Sequence, residues 1–216
     1  MPAQEMFDIF DADMHPTGQV VEKASAHEQG LWHQVFHCWI VRALEDGDAA
    51  VLFQMRSRTK STYAGLLDIS AAGHLSAGET PEDGIRELEE ELGITAKPDE
   101  LVSIGIQKIN TGTTGYPNRE FCHTFILERH EKPEEYILQP EEVDGVFEMR
   151  LSDAFGLFSG EEEKVRVRGV ARMMGKMVPA EKDVTLKDFV PHFDRYYLKI
   201  MIMIELHLAG SRYLAI

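Results

Sequence analysis

Arg86-Glu87-Leu88-Glu89-Glu90-Glu91-Leu92-Gly93-Ile94 is the segment whose residue types and spacing can do chemistry. On a helix, residues i, i+3 and i+4 share a face, and Glu87, Glu90 and Glu91 have that spacing. Three carboxylates on one patch repel one another unless a cation sits between them, and an all-oxygen ligand set suits Mg²⁺ or Mn²⁺. Leu88 and Leu92 anchor the opposite face in a core, and Arg86 is placed to pair with a neighbouring glutamate and hold it in position. Most glutamate-rich helices are only solvated faces, so the preceding segment carries weight. Gly73-His-Leu-Ser-Ala-Gly-Glu79 is a glycine-containing loop that lets main-chain amides and carbonyls approach a metal and a phosphate closely.

These residues need elements to position them. Thr80-Pro81-Glu82-Asp83 starts a helix, with a Thr cap, Pro at the first position and acids in the first turn. That helix is predicted to run to about Leu92 and to stop at Gly93. Upstream, Phe7 to Val21 reads as an edge hairpin, Val35–Val41 and Ala50–Met55 as paired strands, and Leu66–Leu75 as a short strand entering the small-residue loop. Downstream, Leu101–Ile109 and Glu120–Leu127 read as strands joined by a loop over Gly112–Asn118, followed by a strand at Val146–Arg150 and a short helix at Leu151–Phe158. The layout is one mixed α/β domain over 1–155 and a mostly helical C-terminal extension over 156–216 that packs on it.

Composition narrows the function classes. The chain has 216 residues, 44% hydrophobic and 27% charged, enough for a soluble protein with a real core. A formal charge of −15 disfavours binding to nucleic-acid polymers or anionic membranes and suits a collector of divalent cations. Two cysteines, Cys38 and Cys122, exclude a disulfide scaffold. With no signal-peptide pattern in Met1–Phe10 and Leu198–Leu208 too short and charged to span a bilayer, the expected location is the cytoplasm.

The sequence resembles the Nudix hydrolases, whose box reads Gly, five residues, Glu, seven residues, then Arg-Glu-aliphatic-x-Glu-Glu-x-Gly-aliphatic. Gly73, Glu79, Arg86, Glu87, Leu88, Glu90, Glu91, Gly93 and Ile94 match. One departure is plain: six residues, Thr80–Ile85, separate Glu79 from Arg86. The missing residue falls at the loop-to-helix joint and leaves the Glu79–Arg86 contact open. The resemblance implies an α/β/α sandwich with a mixed sheet and a Mg²⁺- or Mn²⁺-dependent pyrophosphohydrolase. Its metal ligands would be Glu87, Glu90, Glu91 and the carbonyl of Ala72, with Glu90 the favoured base and Glu120 or Glu142 its substitutes.

The resemblance extends, over roughly residues 5–150, to the Nudix branch that includes the type I isopentenyl diphosphate isomerases. It is carried by Asp8–Asp11, Thr17-Gly18, His33 before a Trp-containing strand, Arg56–Lys60, Gly73-His74 and Asn118–Cys122. In that enzyme three histidines and acidic residues hold one metal. His33, His74 and Glu120 fall at such positions, and His27 is the candidate third histidine, one residue nearer His33 than the isomerase spacing. Arg56 and Lys60 fall where the isomerase grips its diphosphate. The isomerase needs a cysteine before its Gly-His, and here that position is Ala72, which has no proton to give. Together with the intact carboxylate helix, this favours hydrolysis over isomerisation.

The reading is therefore a diphosphate-cleaving hydrolase acting on a nucleoside- or prenyl-diphosphate type of small molecule. Its alternatives are an isomerase-like enzyme and a non-catalytic diphosphate sensor. His33 and His74 are either site residues or plain structural histidines, and His37 and His123 read as sheet-face residues. Phe189, Phe193, Tyr196, Tyr197, Ile200 and Ile204 form an apolar stripe that packs on the domain, forms a homodimer interface or lids the site, in that order.

Overall fold

The structure is a computed structural model that describes residues 5–113 and 116–216; the centre of the expected 112–118 loop, residues 114 and 115, lies outside them. The strand β3 (His33–Ala43) is buried without a break from Val35 to Val41, where His37 is the one polar residue. Such a run belongs in the middle of a sheet covered on both faces, and β3 lies there. On one side it pairs in parallel with β8 (Tyr116–Glu128), from His33 opposite Glu120 to Val41 opposite Glu128. On the other side its end pairs with β4 (Ala49–Arg56), but only through Val41–Ala43. Nearer its start it pairs instead with β6 (Ala71–His74). The strands β3 and β4 thus fork, with β6 on one prong and β5 (Leu67–Asp68) on the other. The fork holds Ala72-Gly73 at the mouth of the sheet.

The nine-stranded mixed sheet has the order β11-β10-β9-β4-β3-β8-β7, where β10 is Val165–Met173 and β11 is Lys176–Val184, with β5 and β6 attached at the fork. Here β7 is Val102–Thr113 and β9 is Val143–Arg150. A separate two-stranded sheet, β1 (Met6–Phe10) and β2 (Pro16–Glu22), leads into α1 (Lys23–Gln29) and matches the expected edge hairpin. One face of the large sheet is covered by α2 (Arg86–Leu92), whose Leu88 and Leu92 pack among Phe36, Ile40 and Leu52. The other is covered by α3 (Leu151–Ser159) and α4 (Tyr196–Leu208), through Ala154, Leu157, Tyr197, Ile200 and Ile204. The result is an α/β/α sandwich with a mixed sheet.

The mostly helical reading of 156–216 is corrected. Residues Val165–Met173 and Lys176–Val184 form a strand pair, β10 and β11, and β10 continues the sheet beyond β9. The cause is local: Val165, Val167 and Ala171 face the core while Arg166 and Arg168 alternate outward and pair with Asp183 and Glu181 on β11. Met174 and Gly175, with φ of 49° and 79°, make the two-residue left-handed turn that joins a twisted hairpin. Helix there is confined to the end of α3, a 3-10 turn at Leu186–Asp188 and α4, and Pro191 lies in the irregular segment before α4. No helix among the described residues is long and apolar enough to cross a membrane.

The hairpin meets β9 at unusually close backbone contact. A Cβ on Gly169 would sit 1.9 Å from the Val146 carbonyl oxygen and 2.7 Å from the Phe147 Cα. Backbone cannot swing aside as a flexible side chain can, so Gly169→Ala is expected to destabilise by about 1–3 kcal/mol. Urea unfolding checks this, and an unchanged midpoint would show that the β9–β10 contact is loose.

Candidate functional site

The loop-to-helix joint explains how the shorter box still closes. Residues Pro81–Ile85 wind as a 3-10 turn before α2 rather than as part of one continuous α-helix. A 3-10 turn rises about 2.0 Å per residue against about 1.5 Å for an α-helix, so five residues span what six or seven α-helical residues would. Gly84 lets the turn press on the sheet, because a Cβ there would lie 2.5 Å from the Phe36 ring. Arg86 therefore reaches Glu79 with both ends of its fork, Nε to Oε1 at 2.7 Å and Nη2 to Oε2 at 3.1 Å. The contact left open by the sequence is made. The same guanidinium donates to the His74 carbonyl at 2.9 Å, to Glu87 at 2.5 Å and to Glu90 at 3.2 Å. It ties loop and helix together.

Of the three box carboxylates Glu91 is buried and Glu87 largely so, its side chain 13% exposed. Glu91 is 5% exposed, and its Oε2 accepts from the Ala72 amide at 3.2 Å and the Gln54 side chain at 3.3 Å. Glu87 lies directly against Gly73, where a Cβ would come within 2.1 Å of its carboxylate. Only a glycine admits that approach. Burial lifts the Glu87 carboxyl to about 7 against the pull of Arg86. Burial and the charge of Glu87 push Glu91 well above the usual carboxylate range. Glu90 is the exposed member, 54% accessible in its side chain. A pair of buried acids that burial discourages from ionising is the chemistry a divalent cation relieves.

A second set gathers beside the first. His27, His33 and His74 bring ligand atoms within 4.8 Å of one another. The Nδ1–H of His33 donates to the Leu31 carbonyl at 2.9 Å, which leaves Nε2 as the free lone pair. His33 Nε2, His74 Nε2 and Asn118 Oδ1 are buried with no hydrogen-bond partner among the described residues. Glu120 Oε1 lies 3.8 Å from both histidines. Burial lowers His33 to about 4 and His74 well below the ordinary histidine value, so both are neutral, and His33, with its proton on Nδ1, has its Nε2 lone pair available. Two unpartnered ring nitrogens facing one carboxylate fit a metal better than plain structural histidines do.

The expected diphosphate cations are otherwise engaged. Lys60 pairs with Glu142, whose charge together with that of Lys60 is felt at Glu91. Arg56 Nη1 pairs with Asp68 at 3.1 Å. Gln54, Asp68 and Asn118, which the sequence reading did not single out as site residues, stand in or beside the site. His37 is a buried sheet-face residue as expected, its Nδ1 2.9 Å from the Tyr196 hydroxyl.

The raised carboxyls carry a stability prediction. Glu87 and Glu91 hold protons in the fold at pH values where the unfolded chain, near 4.5, has lost them. Their contribution is full below that value and is lost as pH rises, for Glu87 through about 7. The buried histidines act oppositely, but only below about 6.5, where unfolded histidine protonates. Metal-free protein should therefore lose thermal stability as pH rises above about 6.5, where the histidine contribution is complete, and Glu91→Gln should gain on it over the same rise. Parallel melting profiles of the two proteins would contradict the buried-acid assignment.

Comparison with known proteins agrees with this geometry. Residues 34–168 match the NUDIX domain family. An uncharacterised Nudix hydrolase of Clostridium acetobutylicum is 38% identical over 195 residues, covering 90% of this chain and 94% of that protein. An isopentenyl-diphosphate Delta-isomerase of Serratia proteamaculans is 32% identical over 123 residues, covering 56% of this chain and 65% of that one. Among solved structures, a Deinococcus radiodurans protein superposes with a TM-score of 0.52 at 21% identity, over 73% of this chain and 91% of that one, which speaks to the fold alone. The chain belongs to the Nudix hydrolase family, whose members act on diphosphate bonds.

Proposed function

We propose that this protein is a Mg²⁺- or Mn²⁺-dependent pyrophosphohydrolase that cleaves the diphosphate linkage of a small molecule. The observation that carries the reading is the buried Glu87–Glu91 pair folded against Gly73. Among the described residues Arg86 on Glu87 is the one cation hydrogen-bonded to the pair, and Glu91 receives only two neutral donors. Glu87, Glu90, Glu91 and the Ala72 carbonyl would hold the ion. Bound there, a divalent cation would offset the charge of a diphosphate and make a coordinated water more acidic.

The chain's own residues then have separable tasks. Arg86 fixes the loop relative to the helix, so that Gly73 and Glu87 keep their spacing. Glu90, the accessible carboxylate, takes the proton of the attacking water. Lys60 and Arg56 sit at the open end of the fork, where exchange of their present carboxylate partners for phosphate oxygens would bind the substrate. His27, His33, His74 and Glu120 supply a second, nitrogen-rich ligand set next to the first.

That second set favours one other reading, an isomerase-like reaction. The methyl of Ala72 opposes it. Cys122 stands beside Glu120 and not before Gly73, buried, with its thiol pushed up by burial and by that carboxylate.

Phosphate release from nucleoside, sugar and prenyl diphosphates with Mg²⁺ tests hydrolysis, and interconversion of isopentenyl and dimethylallyl diphosphate tests the other reading. Glu91→Gln is expected to abolish turnover with folding retained. Glu90→Gln should lower kcat by on the order of 10²–10⁴-fold with little change in KM. Turnover that survives Glu91→Gln removes that residue from the metal set. Mn²⁺ titration should show two classes of site in the wild type and one in a His33→Ala, His74→Ala double variant. A single class in both would confine metal binding to the carboxylates.

A further inference from the structure

The C-terminal part of the chain, outside the matched family domain, returns to the fork. Phe189 forms a parallel bridge to Leu67, and the Val190 amide donates to the Leu67 carbonyl at 2.8 Å. This places His192 beside Asp68, with Nε2 3.4 Å from Oδ1. The other Asp68 oxygen receives Arg56, so His192 connects through one carboxylate to a cation of the fork. The ring is fixed from behind by Tyr196 and Tyr197, at centroid distances of 4.8 and 5.1 Å. Asp194 and Arg195 follow with φ of 57° and 55°, a left-handed conformation that non-glycine residues rarely adopt. Consecutive residues in that region hold a turn in one shape, and here the shape leaves Phe193 68% exposed.

Between this segment and the outer edge of β7 lies a groove of about 420 Å³, lined by Gln107, Asn110, His192 and Phe193 among others. That volume is in the range of small-molecule sites. The register puts Gln107 opposite Cys122 and Ile109 opposite Glu120, so these pairs share a face and Ile109 brings the groove lining next to Glu120. Gln107 Oε1 is buried without a hydrogen-bond partner among the described residues. An acceptor in that position is satisfied by a ligand N–H or O–H and left unpaired by a hydrocarbon.

We propose that this groove receives the group attached to the substrate's diphosphate, and that His192, oriented by Asp68, and Gln107 select a polar group bearing N–H or O–H donors over a prenyl chain. The proposal rests on the hydrolase reading and extends it to a substrate class. Phe193 offers a ring face to a planar group, and Asn110 offers further amide contacts.

The test compares wild type, His192→Ala, His192→Gln and Gln107→Leu with Mg²⁺ on nucleoside diphosphates, nucleotide sugars and geranyl diphosphate. His192→Ala and Gln107→Leu should each raise KM for the best polar substrate about 10- to 100-fold with kcat nearly unchanged. Geranyl diphosphate should remain a poor substrate of the wild type, and His192→Gln, which keeps a donor, should recover most of the loss. A second arm needs no turnover: in EDTA, nucleoside monophosphates and sugar phosphates should raise the melting temperature of the wild type but not of Gln107→Leu. Geranyl diphosphate as the best wild-type substrate, or unchanged KM and melting shifts in both variants, overturns the proposal. Absence of all turnover, with the Gln107-dependent melting shift intact, sinks the hydrolase reading and leaves the subsite standing.

Discussion

The structure depends on one electrostatic constraint: two carboxylates, Glu87 and Glu91, are taken out of water beside a main-chain loop. Such burial is unfavourable unless the acids stay protonated or meet a cation. The surrounding elements keep them there. Arg86 binds Glu79, Glu87, Glu90 and the His74 carbonyl at once, so the helix cannot rotate its acids toward solvent without breaking the loop contact. Leu88 and Leu92 resist the same rotation from the core side. Gly73 resists nothing, and its missing Cβ is what admits Glu87.

The fork of β3 and β4 is the second requirement. A sheet paired along its full length would leave no mouth for the loop. Here β4 departs after the Val41–Val51 pair, and β6 takes its place along β3. His33 and His74 therefore arrive on neighbouring strands with Glu120 on the next, which assembles a nitrogen-rich set joined through the Arg86 contact with the His74 carbonyl to the oxygen-rich one. The two sets differ in kind. The carboxylates are raised by burial and bind a cation only after losing protons, while the histidines are already neutral.

Much of this was legible because it is local. The carboxylate spacing, the Thr80-Pro81 start and the Gly93 stop are properties of a few adjacent residues, and the helix ends where they say, with Gly93 at φ 69°. The strands around it carry dense β-forming runs. The 3-10 joint was not legible, since a count of six residues states a length without stating a helix type. The β10–β11 hairpin was missed because its turn, Met174-Gly175, lacks the usual Asn-Gly or Asp-Gly pair and a methionine there pays the left-handed cost. The alternation of Val165, Arg166, Val167 and Arg168 was visible, but its meaning required an available edge on β9. Asp68, Gln107 and His192 carry no motif. They lie far apart in sequence and meet only through the bridge at Leu67 and the register of β7 on β8.

The position of α4 follows from the same long-range logic. Its first turn supplies Tyr196 and Tyr197. The Tyr197 ring stacks on Phe158 at 4.7 Å, and its hydroxyl donates to the Val190 carbonyl at 2.9 Å. Trp39 donates to the Tyr196 hydroxyl at 3.2 Å, which also meets His37. The His192 turn is thus held upstream by Phe189 and Val190 and downstream by the two tyrosines, all seated on the sheet face that carries Trp39 and Phe53. Aromatic packing of this density does not open and close as a lid does. The apolar stripe expected at this end of the chain is a fixed support, and what it supports is an irregular turn with two residues in left-handed conformation, kept against the cleft by neighbours that overdetermine it.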